Sequence, residues 1–225
     1  MPIKEDNNSS PKARGSNLRT LRILIVEPRG RYCRTVWCAI GVGIVHILIG
    51  ATIMVILIYS LHGKDYHAIL CSSAYHFFSA EAILSLNYAN GWSAPMRLRH
   101  RRFSHMYLQI CAMICAISGT VLILLSKGLS GNVHGVTGII TIIFAGITFL
   151  LGPFAMIRGR NVRLLHTSFG LPTFISSTVC LCSGLVTSEF TDWAHATTSF
   201  ILIGFIVFYA SFIIVTIFLK CIMKI

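Results

Sequence analysis

Acidic side chains are scarce in this chain: Asp and Glu number 7 among 225 residues, against 19 Lys and Arg, for a formal net charge of +12. Charge of either sign is low as well, at 12%, roughly half the share usual in a soluble domain. With 55% apolar residues and a mean hydropathy of +0.75, too few polar groups are present to coat a soluble globule. Disorder is excluded on the same ground, since disordered chains are poor in apolar residues. No CxxC pair occurs among the 8 cysteines, which excludes zinc-ribbon and thioredoxin-like arrangements. What is there instead is a set of long apolar runs, and they make this an all-α, multi-pass membrane protein.

The runs lie at 36–61, 66–89, 104–126, 133–157, 164–187 and 194–219, each close to the ~20 residues that cross a hydrocarbon layer about 30 Å thick. Of the lysines and arginines, only Lys64 and Lys127 fall outside one alternating set of segments. Those segments are the tail up to Arg34, the loops carrying Arg97, Arg99, Arg101 and Arg102 and then Arg158, Arg160 and Arg163, and the end of the chain at Lys220 and Lys224. The positive-inside rule therefore predicts six spans with both termini cytosolic. The high net charge then reports topology, and no nucleic-acid partner is expected. Residues 1–35 read as a basic cytosolic tail. Glu5, Asp6 and Glu27 argue against a mitochondrial presequence, and the first apolar run starts too late for a cleavable signal peptide. The sequons at Asn7 and Asn8 fall in that tail and should stay unused. Cys33, Cys38, Cys71, Cys111, Cys115, Cys180, Cys182 and Cys221 all avoid the non-cytosolic loops, so no disulfide is expected. Residues 220–225 form a short cytosolic tail. The membrane is an endomembrane (endoplasmic reticulum or vesicle) or the plasma membrane.

Nine histidines are many for so apolar a chain, and ionisable residues inside a membrane are functional candidates by default. His67 opens the second span and His134 the fourth, both at the non-cytosolic end. His105 opens the third and His166 the fifth, both at the cytosolic end. Two imidazoles of similar depth on different helices can fill both axial positions of a haem iron, which favours electron transfer over oxygen binding. No haem-attachment CxxCH motif occurs. At 1.5 Å per residue the two irons would lie on the order of 20 Å apart along the membrane normal. Gly138 follows His134, and Gly170 follows His166, by one helical turn, where small residues leave room for a porphyrin. Zinc would need four ligands at one depth, which this topology does not supply. His46, His62, His76, His100 and His195 form no second pattern of this kind.

The segments YHAILCSSAYHFFSAEAIL, SHMYLQICAMICAISGTVLILLSK, NVHGVTGIITIIFAG and LLHTSFGLPTFISSTVCLCSG resemble the cytochrome b561 family of transmembrane di-haem reductases, with the resemblance covering residues 36–219. It implies a central four-helix di-haem bundle made by spans two to five, with spans one and six flanking it. It implies two haem b groups per chain, each bis-His ligated and non-covalent: His67 with His134 on the non-cytosolic side, His105 with His166 on the cytosolic side. It also implies transmembrane electron transfer from cytosolic ascorbate to monodehydroascorbate or ferric iron (Fe3+) across the lipid bilayer, usually in a homodimer.

Family members that handle ascorbate carry a lysine-rich segment before the third-span histidine. RLRHRR stands there in this chain, with Arg101 and Arg102 as counterparts. An anionic donor needs positive charge near the cytosolic haem, and Arg101, Arg102, Arg160 and Arg163 are the candidates, because guanidinium groups bind a delocalised enolate through paired hydrogen bonds. Where the family often has SLHSW this chain has GNVHG, which opens the identity of the non-cytosolic acceptor. Glu81, 14 residues after His67, is expected on the same helix face, and His76 on the opposite one. Two rivals stay open: a haem-free carrier whose histidines handle protons or divalent metal, and a di-haem cytochrome reduced by a quinol or a protein.

Overall fold

A computed structural model describes residues 29–157 and 159–222. The tail before Arg29, with its sequons and five of its basic residues, lies outside the described residues, as do Arg158 and Lys224. The elements are α1 (Arg29–Gly63), α2 (Tyr66–Ser72), a π-helical turn (Ser73–Ser79), α3 (Ala80–Ser85), α4 (Leu98–Ser126), α5 (Val133–Ile157), α6 (Arg160–Leu185) and α7 (Ser188–Ile222); no strand occurs among the described residues. Five of these helices, α1, α4, α5, α6 and α7, are long and apolar enough to cross a membrane.

The remaining expected span, 66–89, is the exception. Its helical run covers 66–85 and is broken in the middle by the π turn, so no single regular helix fills it. A π turn bonds i to i+5 and takes one more residue per turn than an α-helix. Every residue after it is rotated away from the face that a 3.6-residue count predicts. Other boundaries move outward: α1 begins inside the stretch read as tail, and α4 begins at Leu98, so all of RLRHRR after its N-capping Arg97 belongs to a helix rather than a loop.

Local chemistry explains the turns. Lys64, at φ 54°, takes the left-handed position that ends α1, and Asp65 caps α2 by accepting from the Ala68 amide at 3.3 Å. His195 has φ 64° and ψ 149° inside α7 and separates a short lead from the apolar remainder. At this same end Lys127 donates to both carboxylate oxygens of Glu189, at 3.1 and 3.3 Å, and that hydrogen bond raises the Lys127 pKa.

Helices α5 and α6 pack along each other as a hairpin, while α2, the π turn and α3 pack along α4. Contacts between these two pairs are sparse. The apolar core sits to one side of them, where α1 and α7 close against the second run and α6: Val45, Ile49, Leu84, Phe174, Ile206 and Ile213 are all buried. Close approach there uses small residues, as membrane helix packing requires; a Cβ on Gly41 would meet the Phe212 ring at 2.8 Å. The outer surface is apolar all round, with Ile47, Leu125, Leu150 and Phe200 well exposed, as suits a lipid-facing bundle.

Candidate functional site: two histidine pairs

Four histidines, one from each helix of the two sparsely joined pairs, meet across the gap between them. The rings of His67, at the start of α2, and His134, at the start of α5, are 5.9 Å apart between centroids and nearly perpendicular, at 89°. At the other end His105 of α4 and His166 of α6 stand 6.2 Å apart at 79°. The structure thus brings together the residues that depth had paired.

All four rings are held in the same way. Nδ1 of His67 bonds the carbonyl of Gly119 at 2.9 Å, and that of His134 the carbonyl of Cys180 at 2.9 Å. Nδ1 of His105 bonds the carbonyl of Ala82 at 2.8 Å, and that of His166 the carbonyl of Thr148 at 3.0 Å. A carbonyl only accepts, so each Nδ1 carries the proton and donates it. The tautomer is fixed and the Nε2 lone pair is left for a metal, the outer arrangement usual for ligating histidines. A metal bonded to both partners at roughly 2.0–2.1 Å would set their ring centres about 6 Å apart, close to both observed separations. Among the described residues no three His, Cys, Asp or Glu side chains gather around one metal-sized point. Each pair therefore offers two ligands, as the axial sites of a haem require, and falls short of the four of a closed zinc site.

Glycines support these rings, though not the ones the spacing singled out. Beyond Gly138 lies Cys180 Sγ at 3.5 Å from a would-be Cβ, and beyond Gly170 lies Thr148 Cγ2 at 3.4 Å, so both serve α5–α6 packing. The glycines at the site are Gly184, where a Cβ would stand 3.1 Å from the His134 ring, and Gly119, where it would meet Cys71 Sγ at 2.7 Å. Cys71 itself sits 3.6 Å from His67 Nδ1. The carbonyl acceptors left no sequence signal, because every residue has a carbonyl.

The four arginines separate. Arg101 is a correction to the sequence reading. It is 1% exposed, donates from Nε to Ser93 O at 3.0 Å and from Nη1 to Leu86 O at 3.4 Å, and lies 4.1 Å over the Tyr88 ring. It braces the 86–97 loop rather than facing an aqueous anion. Arg102 is half-buried, while Arg160 and Arg163 are exposed; Arg163 Nε donates to Ala155 O at 3.2 Å.

Glu81 is the second correction. The π turn swings it off the His67 face, and its Oε1 meets His46 Nδ1 of α1 at 2.7 Å. Trp92 Nε1 donates to its Oε2 at 3.2 Å, and Asn90 Oδ1 lies 3.2 Å from His46 Nε2. His46 was overlooked in the sequence, although two ionisable residues in apolar runs should find each other. His76 is buried on the other side, where the Tyr209 hydroxyl bonds its Nδ1 at 2.9 Å.

An all-helical membrane bundle with two facing histidine pairs points to a class: membrane-embedded haem electron carriers. The sequence model of eukaryotic cytochrome b561 matches residues 66–192, more than half of the chain, and the chain belongs to that family. It is 26% identical over 182 residues to the mouse (Mus musculus) protein named transmembrane reductase CYB561D2, covering 75% of this chain and 82% of that protein. The human protein of the same name is 27% identical over 139 residues, 56% of this chain and 63% of that protein. No solved structure matches.

Proposed function

We propose that this protein is a transmembrane oxidoreductase that carries electrons from cytosolic ascorbate through two b-type haems to monodehydroascorbate or ferric iron on the other side. The observation that carries the reading is the shared state of four histidines, each with Nδ1 bound to a backbone carbonyl and paired with a second ring about 6 Å away. Two relatives bearing the name transmembrane reductase support the reaction class.

In this reading His67 and His134 hold one haem and His105 and His166 the other. When bound, the haems supply one-electron chemistry at saturated iron. The chain's own residues do the rest. The carbonyls of Gly119, Ala82, Cys180 and Thr148 keep the rings oriented and raise their basicity as ligands. The composite run 66–85 serves as the sixth span, since some 20 helical residues cover about 30 Å. The arginine-rich end faces the cytosol with both termini. There Arg102, Arg160 and Arg163 attract the ascorbate anion and offer paired donors to its enolate. The acceptor meets the opposite end, beside His67, where Tyr59, Lys64, Asp65 and Glu189 border a cavity of about 480 Å³.

The test is to purify the protein made with ample haem and record its visible spectrum before and after adding ascorbate. Sharp α and β bands with about two haems per chain are expected, with rapid reduction by ascorbate. A colourless protein would overturn the reading, and bands appearing only with dithionite would overturn ascorbate as donor.

A further inference from the structure

A second cavity, of about 510 Å³, lies between the composite run and α4, outside the bundle of paired histidines. Its walls are Phe77, Trp92, Phe103 and Tyr107, and its main polar group is the Glu81 carboxylate. Those four aromatics are 40–67% exposed. Three of them belong to helical segments read as spans, so the opening faces lipid. The cavity is an open groove, and an aromatic lining with one placed polar group is a feature it shares with sites for small organic ligands.

The carboxylate is set for more than packing. His46 and Trp92 hold its two oxygens, and the next residue in the chain is Ala82, whose carbonyl takes the Nδ1 proton of His105. Ser104, beside His105 in sequence, also borders the cavity. The groove is thus lined by the chain neighbours of both His105 and the Ala82 carbonyl that holds it. Arg99 lies 5.6 Å over the Phe103 ring, which sets positive charge beside that wall.

We infer that this cavity is a second electron entrance, for a membrane-dissolved hydroquinone; the inference rests on the haem reading of His105 and His166. An aromatic ring carrying hydroxyl groups fits the aromatic walls, a hydrocarbon tail can leave through the lipid-facing opening, and the carboxylate accepts a hydroxyl proton. His105 and His166 would hold the haem that takes one electron from the hydroquinone, and Glu81 would take the proton released with it. Once that electron has crossed the membrane and Glu81 has released its proton to water on the cytosolic side, a second electron and proton would leave by the same two routes and the quinone would depart. An acyl chain of a lipid, by contrast, would have no use for a carboxylate held by an imidazole and an indole.

Two measurements test it. Haem-loaded protein is mixed with decylubiquinol or, separately, with ascorbate, and haem reduction is followed by stopped flow. Saturable reduction by decylubiquinol is expected. In Glu81→Gln its rate, divided by the ascorbate rate of the same preparation, falls about a hundredfold or more, as removal of a positioned base predicts. An unchanged ratio overturns the inference. The second measurement needs no turnover: decylubiquinone is titrated against tryptophan fluorescence, and saturable quenching is expected that is largely lost in Trp92→Phe. Quenching that is linear, or equal in the variant, means that lipid alone fills the cavity. A colourless protein overturns both this inference and the reading beneath it. A coloured protein reduced by ascorbate and not by decylubiquinol overturns this inference alone.

Discussion

His105 donates its Nδ1 proton to the carbonyl of Ala82 across 2.8 Å, although 23 residues and the 86–97 loop separate them. The same bond recurs at the other three paired histidines, and it ties each ring to a different helix from its own. Ring orientation is therefore a property of helix packing.

In the proposed reading, replacing His105 or His166 by Ala would remove one axial ligand of one centre. The expected result is a fall from about two haems per chain to about one, read by pyridine haemochrome, with the other centre's electron paramagnetic resonance signal unchanged. Replacement of His67 or His134 should remove the complementary signal. Two full complements of haem in any of these variants would refute the assignment.

Gly184→Ala and Gly152→Ala form a contrast. A Cβ at Gly184 comes within 3.1 Å of the His134 ring, whereas one at Gly152 reaches only 3.9 Å from His166 Cε1. The first must tilt its ring, and the resonance of that centre should shift; the second should leave both centres alone. Melting temperature is the wrong readout, since Ala in a helix gains up to about 1 kcal/mol over Gly and masks the clash.

Arg101 and Arg102 should behave in opposite ways. Arg101→Met strips donors from the carbonyls of Ser93 and Leu86 and should cost about 1–3 kcal/mol, seen as a lower unfolding midpoint in detergent. Arg102→Ala should leave that midpoint alone and raise the ascorbate concentration needed for half-maximal reduction. If both variants changed only the ascorbate dependence, Arg101 would be a substrate residue after all.

Ionic strength separates the two donors. Attraction of an anion to exposed arginines is screened once the Debye length drops to about 3 Å near 1 M salt. Reduction by ascorbate should slow several-fold between low and high salt. Reduction by an uncharged hydroquinone should not follow it, because its cavity is lined by aromatic rings. Parallel salt curves would place both donors at the same arginines.

Much of this protein is legible along the chain because the bilayer is a one-dimensional filter. Hydrocarbon thickness sets the length of each apolar run, and charge asymmetry sets its direction, so α1 and α4 to α7 can be read from composition alone. The place of a residue along an apolar run is a matter of counting, which is why His67, His105, His134 and His166 are legible as two pairs in the sequence.

Azimuth is another matter. Which way a side chain points around its helix depends on an unbroken turn count, and the π turn at Ser73–Ser79 breaks it. Glu81 consequently turns to His46 on α1 instead of sharing a face with His67. Likewise Arg101 and Arg102 are neighbours in sequence with the same charge, yet one is spent on backbone carbonyls and the other is not. The sequence by itself determined the membrane class and the five long apolar helices, because those follow from hydrophobicity summed along the chain. Only the tertiary structure decided which carbonyl holds which ring and where the Glu81 carboxylate faces, because those depend on rotation about helix axes and on close approach between helices, neither of which leaves a mark in the order of residues.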